Sequence, residues 1–165
     1  MALLVSIGRA RYARKNMADT PTVAKQIRGT NAYYHVTWSP VVRAVRHDII
    51  RVVPAVAGLF ELFVLDTGRT LNPIRTSGAW YGGLRSTLRE LADPQTCRDK
   101  RVRSFLARNK LYYRFSTCDS HDDMQDVLAC IAAVRPRSVR EATPSGRYEG
   151  LFLRESAIGG MVRID

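Results

Sequence analysis

The segment GLFELFVLD, residues 58–66, constrains this chain most. It is a dense apolar run with β-branched and aromatic content, lying between Pro54 and the Thr67-Gly68 pair, and it reads as a strand. It is far short of the roughly 18 apolar residues of a membrane span, so a sheet has to bury it. LYYRFST, residues 111–117, reads as a second such strand, and AWYGG, residues 79–83, as a strand ending on two glycines. Thr67–Gly78, with Gly68, Asn72 and Pro73, reads as loop or hairpin connection.

Helical signals separate these strands. Ser39 and Pro40 suit an N-cap and a first helical position, and Val42, Val45, Ile49, Val52 and Val53 follow at helical spacing up to Pro54. Ser86 suits the cap of a helix over Thr87–Ala92, stopped by Asp93-Pro94. A basic helix is expected over Asp99–Asn109. Ser120 with Asp123 three residues on resembles a capping box, opening a helix with Met124, Val127, Leu128, Ile131 and Val134 on one side. The order after Tyr33 is α-β-β-α-α-β-α. It predicts an α+β fold, a small three-stranded, largely antiparallel sheet flanked by helices.

At 165 residues the chain suits one domain, placed at 33–136. Residues 1–32 are expected to be a basic, disordered arm: 1–16 hold Arg9, Arg11, Arg14 and Lys15 and no acid. The apolar run Ala2–Ile7 precedes those cations, the reverse of a secretory signal. An organelle transit peptide, or an extension upstream of a start at Met17, stays open beside the arm. Residues 137–165 mix Arg, Ser, Gly and Pro and are expected to form a loose tail, with a short strand at Tyr148–Leu153 as an option. Three cysteines are too few for a disulfide scaffold, which suits a reducing, intracellular and cytoplasmic setting. Cys118 and His121, with Cys97 and Cys130, offer four zinc ligands. Their spacing matches no compact zinc ribbon, and Cys130 lies near an apolar helix face, so zinc is the weaker reading.

The formal charge is +11, and only four of 26 cations are Lys (Lys15, Lys25, Lys100 and Lys110), so 22 are Arg. Arginine forms bidentate bonds to phosphate, so a nucleic-acid partner fits; coding bias explains the total equally well. The distribution says more. Arg98, Lys100, Arg101, Arg103, Arg108, Lys110 and Arg114 crowd residues 98–114, opposed only by Asp99. Residues 116–134 hold Asp119, Asp122, Asp123 and Asp126 and no cation. A basic surface beside carboxylates suits a phosphate backbone meeting a metal ion; a solvated basic helix beside an Asp-rich helix start accounts for the same facts.

The strand–Gly-Gly–helix stretch Ala79–Leu91 is the sharpest local feature. Tyr81 precedes the glycines, and Arg85 and Arg89 are four apart on one helix face. Converging on a cleft, they form a phosphate-handling set. Otherwise they are a tight turn with Tyr81 in the core and solvated arginines.

GLF at Gly58–Phe60 on a first strand, WYGG at Trp80–Gly83 on a second leading into a helix, then a third strand and a helix carrying Asp126: this order resembles the GIY-YIG nuclease superfamily over about residues 56–136. The resemblance implies a three-stranded antiparallel sheet flanked by helices and metal-dependent hydrolysis of DNA phosphodiesters. It makes Tyr81 the second motif's tyrosine and puts Phe60 at the first motif's tyrosine place. It offers Arg89 or Arg85 as the helix arginine, and Asp126, one carbon shorter than the family's glutamate, as the ligand of Mg²⁺ or another divalent cation. Tyr81 would then orient or deprotonate water, and the arginines would offset the pentacovalent charge. The alternatives are a non-catalytic module binding nucleic acid through the cations of 98–114, and an interaction domain whose arginines reflect codon usage.

Overall fold

A computed structural model describes residues 20–96, 100–139 and 142–159; Cys97, Arg98 and most of the expected arm fall outside the described residues, as does the side chain of Arg101. In chain order the elements are β1 (Val23–Arg28), β2 (Asn31–Trp38), β3 (Val42–Arg43), α1 (Arg46–Val52), β4 (Gly58–Leu65), β5 (Leu71–Ala79), α2 (Gly83–Ala92), α3 (Lys100–Arg108), β6 (Leu111–Thr117), α4 (His121–Val134) and β7 (Gly150–Ala157).

The fold is α+β, and the apolar run at 58–65 lies inside a four-stranded sheet ordered β3-β6-β4-β5, all antiparallel. Successive residues of a strand face opposite sides, and β4 is buried on both. One side carries Phe60 and Leu62, joined by Tyr113 and Phe115 of β6, and meets Ile49 of α1 and Leu84 and Leu88 of α2. The other side carries Leu59 and meets Met124, Val127 and Ile131 of α4. Full burial of Val127 or Ile131 stabilises the fold by roughly 1.5–3 kcal/mol each.

α4 is buried over most of its circumference because a second sheet, ordered β1-β2-β7, covers its far side. Ala32, Tyr34, Val36 and Trp38 alternate inward along β2, with Leu151 and Leu153 beside them on β7. Ser120 caps α4 by accepting from the Asp123 amide at 3.3 Å, as its spacing predicts.

Five expectations are corrected. The sheet is not a single three-stranded one: there are two, of four and three strands. Residues 23–28 are not part of an arm but pair with β2 through a two-residue turn in which Gly29 has φ 59°; the exposed edge strand lacks apolar alternation, which hid it. Residues 150–157 are not loose tail but a strand parallel to β2, recognisable only from Leu151 and Leu153. Ser39 does not start a helix: its amide donates to the Phe115 carbonyl at 2.8 Å and its hydroxyl accepts from the Phe115 amide at 2.9 Å, so the valine run continues into β3 and α1 begins only at Arg46. Residues 71–78 are strand despite Pro73 and Gly78. Pro73 sits beside a register shift on an edge strand, where a missing N–H is tolerated. Gly78 leaves room for Met124, whose Sδ lies 2.6 Å from where a Cβ would stand.

Candidate functional site

The Gly82-Gly83 turn brings Tyr81 to the surface. Both glycines have positive φ, 77° and 73°, and the missing Gly83 side chain lets the Val56 carbonyl approach and accept from the Leu84 amide at 2.8 Å. Tyr81 is thereby 90% exposed, which removes the reading that puts it in the core. Arg85 is not solvated either: its Nε donates to the Val53 carbonyl at 2.7 Å, holding the end of α1. Arg89 is exposed and makes no hydrogen bond or ion pair among the described residues.

Asp126 lies in a different place. α2 packs on one side of the four-stranded sheet and α4 on the other. Asp126 is 1% exposed and turned to β2 and to the segment before β7. Its Oδ2 accepts from the Tyr34 hydroxyl at 2.8 Å, the Ser145 hydroxyl at 2.9 Å and Arg147 Nη2 at 3.1 Å; its Oδ1 accepts from the Ser145 amide at 2.6 Å. Asp123 beside it takes Lys25 Nζ at 2.8 Å and Arg147 Nη2 at 2.6 Å, with the Tyr34 hydroxyl at 3.1 Å. Burial works to raise the Asp123 carboxyl, but the Lys25 and Arg147 hydrogen bonds outweigh it and hold the group below the usual carboxylate range. Burial, then Asp126, push the Tyr34 hydroxyl well above its ordinary value, so it stays a donor.

Four donors already converge on Asp126, three on Oδ2 and one on Oδ1, and one of them is the Arg147 guanidinium, a charge that repels a cation. As placed it does not fit a Mg²⁺ ion. No contact among the described residues joins it to Tyr81, Arg85 or Arg89. The tyrosine, arginine and carboxylate expected around one cleft are therefore not brought together.

A second buried charge group ties the two sheets. Glu61 is fully buried, and its Oε2 accepts from Arg114 Nε at 2.6 Å, its cross-strand partner on β6. Its Oε1 accepts from Thr76 Oγ1 and Arg135 Nη1, both at 3.1 Å. Arg135 also donates to Glu155 at 2.9 Å, as does Trp38 Nε1 at 2.8 Å, and the Arg114 guanidinium stacks 4.6 Å from the Trp38 ring. Arg114 thus belongs to the interior, not to the basic surface expected over 98–114. A lone acid in one apolar strand and a lone base in another, GLFELF and LYYRF, was the signal for this pair.

That surface is carried by α3 and its exit, where Lys100, Arg103, Arg108 and Lys110 are exposed. Lys100, Arg108 and Lys110 enter no ion pair among the described residues, whereas Lys25, Arg46, Arg114, Arg135 and Arg147 all do. A cleft of about 260 Å³ opens beside them, lined by Arg43, Leu106, Arg108, Asn109 and Lys110.

Of the suggested zinc ligands, Cys118 and Cys130 are buried and His121 edges the Trp80 ring at 5.3 Å; among the described residues no three His, Cys, Asp or Glu side chains are grouped to hold a metal. Nor is any helix among them long and apolar enough to cross a membrane.

Comparison with curated proteins and with solved structures returns no match. A family model described as "Uncharacterised protein" matches residues 22–164, nearly everything from β1 onward, and the chain belongs to that family.

Proposed function

We propose that this protein is a non-catalytic nucleic-acid-binding module, with DNA the first candidate, that docks through α3 and its exit. The carrying observation is the contrast in pairing. Lys25, Arg114, Arg135 and Arg147 are matched by acids, while Lys100, Arg108 and Lys110 are exposed and enter no ion pair among the described residues. Unmatched cations on one helix and its exit gain from phosphate by releasing condensed counterions.

The test is fluorescence anisotropy of a labelled duplex across salt. With about four phosphate contacts the affinity falls about 150-fold between 50 and 200 mM salt. Lys100→Glu, Arg108→Glu and Lys110→Glu together flatten that slope by about 2.7. Absence of binding at low salt, or a triple variant that binds like the parent, would overturn the proposal.

The cleavage reading is supported by Tyr81, exposed at its glycine turn, and by the antiparallel trio β5-β4-β6 flanked by α2 and α4, which suits the GIY-YIG resemblance. It would need a metal carboxylate other than Asp126. Mg²⁺-dependent nicking of supercoiled plasmid that Tyr81→Phe abolishes would put that reading first.

A further inference from the structure

We infer that the cleft beside α3 is a phosphomonoester site, taking the terminal phosphate of a nucleic-acid strand or of a free nucleotide. Its chemistry comes from two distant parts of the chain. β3 pairs with β6, Arg43 opposite Tyr112, and the Ala44 amide donates to the Leu111 carbonyl at 2.8 Å. That pairing sets Arg43 beside Lys110 and Arg108, and all three line the cleft.

Among the described residues nothing acidic lines it. The nearest acid in sequence to a lining residue is Asp93, next to Ala92, and it is held by Arg46 at 3.0 Å and by the Gln95 amide at 2.9 Å. The C-terminal end of α3 would ordinarily present bare carbonyls and repel an anion. Here Arg108 Nε donates to the Ser104 carbonyl at 3.1 Å, and both the amide and the side-chain amide of Asn109 donate to the Phe105 carbonyl, at 3.1 and 2.9 Å. The Phe105 carbonyl is therefore covered by two donors, and Arg108 keeps its terminal nitrogens for a ligand.

Size and charge select the ligand. At about 260 Å³ the cleft is below the usual range of small-molecule pockets, room for a phosphate and part of a sugar and not for an extended strand. A monoester carries a charge of about −1.5 to −2 and three terminal oxygens, against about −1 for a backbone phosphodiester. Arg43, Arg108 and Lys110, which enter no ion pair among the described residues, match the monoester better.

This inference rests on the nucleic-acid reading only for the strand-end ligand. The experiment compares a 5′-phosphorylated single-stranded octamer, the same octamer with a 5′-hydroxyl, a nucleoside 5′-monophosphate and inorganic phosphate, each titrated into the full chain. Phosphorylation is expected to tighten octamer binding about tenfold, and Arg43→Ala with Arg108→Ala is expected to erase that gain with the melting temperature of the free protein unchanged. A preference for the octamer identifies a strand end, and equal affinity for the monophosphate identifies a free nucleotide; either upholds the site. Equal binding of the phosphorylated and hydroxyl octamers, or a preference that survives in the double variant, overturns it. Absence of octamer binding with phosphate and monophosphate still bound removes the strand end as ligand and leaves the cleft standing, while the duplex titration decides the nucleic-acid proposal separately.

Discussion

Removing the Asp126 carboxylate is expected to destabilise the fold, whatever it does to activity. Four donors converge on it, and charge-assisted hydrogen bonds contribute about 1.5–3 kcal/mol each, so a plain sum is roughly 6–12 kcal/mol. The surroundings reduce that figure. After the change Arg147 still holds Asp123 at 2.6 Å, Tyr34 still reaches Asp123 at 3.1 Å, and the Ser145 hydroxyl still accepts from Arg147 Nε at 2.9 Å. The Ser145 amide loses its partner, and an orphaned amide costs about 1–3 kcal/mol. With the void added, Asp126→Ala is expected to cost about 3 kcal/mol, or about 6–12 °C in melting temperature. Asp126→Asn is expected to lose roughly half of that, because its amide nitrogen faces donors. The coupling to Arg147→Met should stay near 1 kcal/mol, since Arg147 is one-third exposed and solvent screens it. Urea unfolding followed by circular dichroism gives these values directly. An Asp126→Ala protein as stable as the parent, or more so, would refute the reasoning and return the carboxylate to the list of groups kept for chemistry.

Three other outcomes are expected. Gly58→Ala should be the worse of two glycine changes, about 3 kcal/mol against about 1 kcal/mol for Gly78→Ala in urea unfolding, because a Cβ at Gly58 meets the rigid Ser116 carbonyl while one at Gly78 meets the flexible Met124 thioether. In a Cys97→Ser background the native protein should be inert to a thiol reagent at pH 8 and react only when unfolded; burial raises the Cys118 thiol and pushes that of Cys130 up to about 12. Stability should be level near neutral pH and decline at both extremes. Asp123 is held below its unfolded value, so its contribution is full above about pH 4 and is lost as the pH falls through its folded value; Lys25, hydrogen-bonded to Asp123 and raised, contributes fully below about pH 10.4 and loses that as the pH rises past its folded value. Unfolding free energies measured from pH 2 to 11 check both limbs, and a decline already under way at pH 6 would contradict the assignment.

What sequence reasoning reached was local. β4, β6 and α4 were legible because each carries its own signal: an apolar run, a second such run, and a serine three residues ahead of an aspartate. What it missed was set by partners far along the chain. β1 and β7 show little alternation of their own and exist because β2 offers an edge on each side. Ser39 looks like a cap until Phe115, seventy-six positions away, takes both of its polar groups. Asp126 looks like a ligand until Tyr34, Ser145 and Arg147 fill it, and two of those three come from the stretch expected to be loose tail. Tyr81 is exposed and Asp126 buried, a difference that depended on which side of the sheet each helix takes.

The parallel pairing of β2 with β7 has a consequence for synthesis. Trp38 ends opposite Ala157, so 119 residues (157 − 38) separate the two when the ribosome makes them. At translation speeds that is an interval of roughly 6–24 s. Until it ends, the inward rings of Tyr34 and Trp38 lack the strand that seals them. A nascent chain stalled before Gly150 therefore shows a chaperone the same apolar face that, eight residues later, disappears from view.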